Sequence, residues 1–148
     1  MHAVFDSSKD PFIFDVSHQC YAHKILTGRS LETLRQFKGI SGYTNPHESE
    51  RDYFVAGHSS TSISLAVGAA KGVMLKGDER IPVVLIGDGA MSAGEAYEAL
   101  NELGDRKYPC VIILNDNEMS IAKPVGALSK YISHAMAGPW YQSFKARI

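Results

Sequence analysis

With 148 residues, the chain is one domain's worth of polypeptide, long enough to bury a real core. Fifteen basic and 16 acidic residues leave a net charge of −1, and the absence of a basic run points away from nucleic acid and membrane surfaces. No apolar stretch approaches the length of a membrane-spanning helix, the first residues lack a signal-peptide layout, and Cys20 and Cys110 read as reduced thiols of a cytoplasmic protein.

The elements follow one another as in an α/β protein. Residues 11–16 form a short apolar run that predicts a strand, and residues 18–27 predict a helix ended by Gly28. Residues 31–37 predict a second short helix. Residues 39–51, with their Gly, Ser, Asn and Pro, predict an irregular loop, either over a pocket mouth or passive on the surface. Residues 53–56 predict a brief strand leading to Gly57. The cluster Ser59, Ser60, Thr61 and Ser62 offers good N-cap residues, and residues 64–76 then predict an Ala-rich helix closed by Gly77. Residues 82–86 are a continuous β-branched run, as in a strand buried on both faces. Residues 90–103 show helical spacing, with Ala93, Ala96, Tyr97, Leu100 and Leu103 on one stripe and Gly104 as the C′ residue. Pro109 restarts the chain before a second buried strand at residues 110–114. Beyond it the pattern weakens, with helical character over residues 126–136 and a break at Gly138-Pro139.

The stretch from Ile86 to Asn117 carries the chemistry. It reads Gly87-Asp88-Gly89 after one buried strand and Asn115-Asp116-Asn117 after the next. Asp88 and Asn117 are separated by one strand–helix–strand crossover, so parallel strands would bring both to the carboxyl edge, where such sheets bind ligands. Asp88 offers a hard anionic oxygen and Asn117 a neutral one, a set suited to magnesium or calcium rather than zinc. Gly87 and Gly89 let a phosphate approach the backbone, and a helix starting just after Gly89 would aim its unpaired N–H groups at it. Taken together, the two motifs predict a divalent metal holding a diphosphate. No Gly-x-Gly-x-x-Gly or Gly-x-x-x-x-Gly-Lys-Ser/Thr follows a strand, which disfavours other nucleotide-binding βαβ folds.

A Gly-Asp-Gly followed after a helix by an Asn-rich strand end resembles the thiamine diphosphate motif of transketolases, decarboxylases and synthases. Four further words narrow the resemblance: Phe14-Asp15-Val16-Ser17-His18-Gln19, His23-Lys24-Ile25-Leu26-Thr27-Gly28-Arg29, Gly57-His58-Ser59-Ser60-Thr61-Ser62, and Asn115-Asp116-Asn117-Glu118-Met119-Ser120-Ile121. In this order they are similar to the 1-deoxy-D-xylulose-5-phosphate synthase family, over nearly the whole chain. The resemblance implies a doubly wound parallel sheet forming an incomplete thiamine diphosphate-binding domain across residues 1–148. It implies magnesium held by Asp88, Asn117 and the backbone carbonyl of Met119, and diphosphate contacts from Gly89, Ala90 and Asn117. His18 and the Gly57-His58-Ser59 segment are implied to line the cofactor and substrate pocket, with His18 and His58 as catalytic groups. Ser17 stands where many members carry glycine. The implied reaction joins pyruvate, with loss of CO2, to glyceraldehyde 3-phosphate, in a cytoplasmic homodimer whose product feeds isoprenoid, thiamine and pyridoxal phosphate synthesis.

Of the six histidines, His2, His47 and His134 read as ordinary polar residues, and His23 either orients substrate or caps its helix. His18 and His58 stand at the junctions of predicted elements, where an imidazole can meet an anionic ligand. The first residues look like the middle of an element and the last lack a cap, so the chain is expected to be a fragment of a longer enzyme. A transketolase-like thiamine enzyme and a non-catalytic cofactor-binding module are the alternatives. A pyruvate donor with CO2 release, against a ketose phosphate donor without it, separates the first of these.

Overall fold

The computed structural model describes residues 1–115 together with Ala127 and Gly138. Within them the chain forms β1 (Phe12–Phe14), a 3-10 turn (Ser17–Cys20), α1 (Tyr21–Leu26), α2 (Ser62–Lys76) and β2 (Val83–Gly87). A second 3-10 turn (Ala90–Ser92), α3 (Gly94–Arg106) and β3 (Val111–Asn115) complete the order. All of these elements fall in one compact unit, Met1–Asn117. The strands make a parallel sheet in the order β1-β2-β3, with Ile13 opposite Val84 and Val84 opposite Ile112.

Alternation along the strands explains why helices cover both faces. Ile13, Val84 and Ile86 point to one side, against Ile63, Ala66 and Val67 of α2 and Ala96 and Ala99 of α3. Phe12, Phe14 and Val83 point to the other, against Cys20, with Met1, Phe5 and Tyr21 packed around them. The expected α/β sheet with helices on both faces is present. Burying a side chain such as Ile63 fully contributes about 1.5–3 kcal/mol, so the small layers are held mainly by this apolar contact.

Several local expectations need correction. Residues 31–37 are a run of turns, not a helix, because Arg35 and Lys38 adopt left-handed φ of 60° and 58° and the Arg35 N–H bonds to the Ile40 carbonyl. Residues 53–56 join no strand among the described residues. The helix expected from Ala90 is interrupted, since Ala93 is extended and α3 starts at Gly94. Gly104 lies inside α3, which ends where Lys107 turns left-handed, and Tyr97 is exposed while Ala99 takes its expected place in the core. Gly77 does close α2, at φ 65°. Residues 126–136 and the break at Gly138-Pro139 lie outside the described residues, apart from Ala127 and Gly138.

The loop expected at residues 39–51 is irregular but pinned. Lys24, fully buried on α1, pairs with Glu48 at 2.6 Å. Arg29 grips Asp52 with two bonds of 2.6 and 2.9 Å, and His23 meets Asp52 at 2.9 Å. The Asn45 N–H donates to the same carboxylate. His2, an ordinary polar residue on the sequence reading, stacks on His23 with ring centroids 5.0 Å apart and shares a hydrogen bond with it. His23 is therefore committed on both ring nitrogens to the protein interior.

Candidate functional site

Because the three strands run parallel, their carboxyl ends lie along one edge, and each is followed by a segment singled out from sequence. β1 leads through Asp15 and Val16 to His18, β2 leads to Asp88 and Gly89, and Gly87 pairs with Asn115 at the end of β3. The chain thus leaves β2 and β3 side by side. Asn117 and Met119 follow β3 directly and lie outside the described residues, so their part of the expected ligand set does too.

At the end of β2, Asp88 is half-buried, and its carboxylate has no hydrogen bond or ion pair with any described residue. A half-buried carboxylate at a strand end is a group that a divalent cation complements. Among the described residues no three His, Cys, Asp or Glu side chains converge on a metal. Ser92 braces the Gly-Asp-Gly turn, its hydroxyl donating to the Gly89 carbonyl at 2.7 Å. Ala90 turns its methyl into the core, which leaves the backbone as the exposed part of that turn. The segment after Gly89 is a three-residue 3-10 turn, so the dipole of a full helix expected there is not aimed from Gly89.

His18 is exposed, at the start of the 3-10 turn that follows β1. To reach it the chain passes Val16 at φ 65° and ψ 160°, a region that β-branched residues avoid at a cost of about 1–3 kcal/mol. The strain before His18 therefore sits at Val16, one residue before the Ser17 departure. Gln19 donates its Nε2 to the Asp15 carbonyl and lies beside Gly87, while its Oε1 is buried with no hydrogen-bond partner among the described residues.

Gly57, His58 and Ser59 form an exposed turn ahead of α2. Gly57 faces the Tyr43 ring, which a Cβ would meet at 3.4 Å. Val55, Ala56, Gly57, His58, Thr61 and Glu95 line an open cleft of about 390 Å³ between this turn and the starts of α2 and α3. The serine cluster does not cap α2 as expected, for the N-cap Thr61 makes no side-chain cap bond. Asp15, the residue after β1, does so: its carboxylate accepts from the Ser60 N–H at 2.9 Å, the Ser62 N–H at 3.3 Å and the Ser62 hydroxyl at 2.7 Å. A capping carboxylate is worth about 0.5–2 kcal/mol. Sequence reasoning missed Asp15 because its partners lie more than forty residues away.

His18 thus follows β1, Asp88, Gly89 and Ala90 follow β2, and the Gly57-His58-Ser59 turn is tied to the end of β1 through the Asp15–Ser60 bond. The cleft that this turn lines is bordered by none of His18, Asp88, Gly89 and Ala90. Elsewhere, burial pushes the thiols of Cys20 and Cys110 up to about 11, so both stay protonated and unreactive at neutral pH. No helix among the described residues is long and apolar enough to cross a membrane.

Residues 1–148 match the protein family described as 1-deoxy-D-xylulose-5-phosphate synthase. The chain is similar to the 1-deoxy-D-xylulose-5-phosphate synthase of Campylobacter fetus subsp. fetus, 76% identical over 150 residues covering all of this chain and 25% of that protein. It is similar also to the synthase of Nitratiruptor sp., 75% identical over 149 residues, covering 99% of this chain and 25% of that protein. The synthase of Campylobacter jejuni strain RM1221 is 73% identical over 150 residues, covering the whole chain and 24% of its own length. The chain spans about a quarter of the length of these curated relatives. Identity at this level along the whole sequence reflects common descent rather than a shared fold alone, and the chain belongs to the 1-deoxy-D-xylulose-5-phosphate synthase family.

Proposed function

We propose that this chain is the diphosphate- and metal-binding part of a longer 1-deoxy-D-xylulose-5-phosphate synthase, acting in the cytoplasm as a homodimer. The observation that carries the reading is Asp88, a half-buried carboxylate without a described partner at the carboxyl end of β2, beside the strand that leads to Asn117. In this reading Asp88, Asn117 and the Met119 carbonyl hold magnesium, and Gly89, Ala90 and Asn117 contact the diphosphate of thiamine diphosphate. When bound, thiamine diphosphate supplies the carbon nucleophile that lets pyruvate lose CO2 and its remaining two carbons join glyceraldehyde 3-phosphate.

The chain's own residues bind and orient. Asp88 offsets the cation's charge, and the backbone of the Gly-Asp-Gly turn, braced by Ser92, admits phosphate oxygens closely. His18 and His58 are exposed imidazoles on segments anchored to the sheet edge, suited to hold or pass a proton near the reacting carbons. The Gly57-His58-Ser59 turn forms one wall of the cleft.

The test is an assay of the full-length enzyme carrying this domain with pyruvate and glyceraldehyde 3-phosphate, following CO2 and 1-deoxy-D-xylulose 5-phosphate. Turnover there and none from the purified 148-residue chain is the expected result. Activity with a ketose phosphate donor and no CO2 release would contradict the reading and favour a transketolase-type reaction.

A further inference from the structure

The bonds around Asp15 reach three parts of the candidate site. Its backbone N–H extends the ladder to β2, donating to the Leu85 carbonyl at 2.8 Å two residues before Gly87-Asp88. Its carbonyl accepts from Gln19, next to His18. Its carboxylate, fully buried, takes the Ser60 N–H on one oxygen and the Ser62 N–H and hydroxyl on the other, which fixes the turn carrying His58. All three of these bonds are donated to the carboxylate oxygens. The turn it holds contains Ser60 at φ 74°, a conformation that a serine does not keep without restraint. On the other side of Asp15, Val16 is held at φ 65° before His18. Two strained backbone positions, one on each histidine segment, are thus tied to one buried side chain and its own peptide.

Resting on the synthase reading above, we propose that Asp15 is a positioning residue that sets His18 and the Gly57-His58-Ser59 turn in register with the metal-bearing end of β2. It touches neither substrate nor cofactor. It acts by holding the segments that do, and so its loss weakens cofactor binding and turnover without dismantling the sheet. An amide cannot replace it, because Asn keeps one acceptor oxygen and presents N–H donors where the carboxylate's other oxygen stood.

The experiment compares Asp15→Asn, Ser62→Ala and Ser62→Thr with the parent in the full-length enzyme. Hydrogen exchange of the cofactor-free protein reads the restraint, and calorimetric titration with thiamine diphosphate and magnesium reads binding. Asp15→Asn is expected to speed exchange over residues 57–64 at least tenfold, leave β2 and β3 amides unchanged, and raise the cofactor Kd at least tenfold. Ser62→Ala, which removes one bond, is expected to shift both in the same direction by two- to fivefold, and Ser62→Thr to restore them. A folded Asp15→Asn enzyme with local exchange and Kd within twofold of the parent would overturn the proposal. If Asp15→Asn does not fold, an unchanged Ser62→Ala would overturn it equally. A parent enzyme that makes no 1-deoxy-D-xylulose 5-phosphate would instead sink the synthase reading, which the exchange experiment does not depend on.

Discussion

At the scale of single residues, the energetic weight lies in charges taken out of water and then paired. Asp52 is fully buried, and burial alone would raise its carboxyl, yet bonds from His23, Arg29 and the Asn45 N–H hold it well below the usual carboxylate range. Removing it strands Arg29 and His23 inside the loop, and breaking a buried pair in this way costs about 3–5 kcal/mol. Asp52→Ala should lower stability by that amount in denaturant unfolding, and a change under about 1 kcal/mol would show that the network carries little. The pH response follows from the same cluster. His2 is held below its ordinary value by burial and by His23 beside it, so the fold favours its neutral form. Its contribution is full above the ordinary histidine value of about 6.5 and is lost as pH falls through the depressed value. Asp52, also depressed, contributes fully above about 3.9 and loses its share below that. Thermal melting should therefore be flat near neutrality, decline as pH drops below about 6.5, and decline again below about 4. A midpoint that rises between pH 7 and 5 would refute this assignment. Asp88, His18 and His58 are singled out by motif and spacing, which are local signals. Asp15 and Asp52 were not legible, since a buried carboxylate is recognised by partners that only the fold supplies.

At the scale of elements, apolar runs were the reliable guide and turn chemistry the weak one. The strands of the sheet and the Gly77 stop of α2 follow from continuous β-branched runs and a left-handed glycine, features that tertiary contacts reinforce. Residues 31–37 have helical spacing but fold as turns, because left-handed Arg35 and Lys38 and the Arg35 bond to Ile40 close the segment on itself. The closure depends on Gly39, where a Cβ would overlap the Thr33 carbonyl oxygen, a backbone atom that cannot swing aside. Gly39→Ala should destabilise the protein by roughly 1–3 kcal/mol, the usual cost of overpacking. Unfolding midpoints of the two proteins decide it, and an unchanged midpoint would mean the turn relaxes freely. The serine cluster before α2 illustrates the same limit: its residues suit a cap, yet the cap comes from another element.

At the scale of the whole molecule, the sheet is a frame that brings three carboxyl ends together, and the chain is about a quarter the length of its relatives. Among the described residues β1 and β3 each pair on one side only, and large apolar side chains such as Phe37 and Leu75 lie exposed, 93% and 80% respectively. The α/β architecture and the place of Asp88 just after a strand were readable from the order of apolar runs. The break between the Gly-Asp-Gly turn and α3 was not, because extended Ala93 sits within an otherwise helical pattern. On the proposed function, Asp88 holds the metal that anchors a diphosphate at this edge. The most direct measurement of that role is calorimetric titration of thiamine diphosphate into the full-length enzyme, with and without magnesium, for the parent and for Asp88→Ala. Tight magnesium-dependent binding is expected in the parent, and loss of that dependence in the variant. Equal affinity and equal magnesium dependence in both would contradict it.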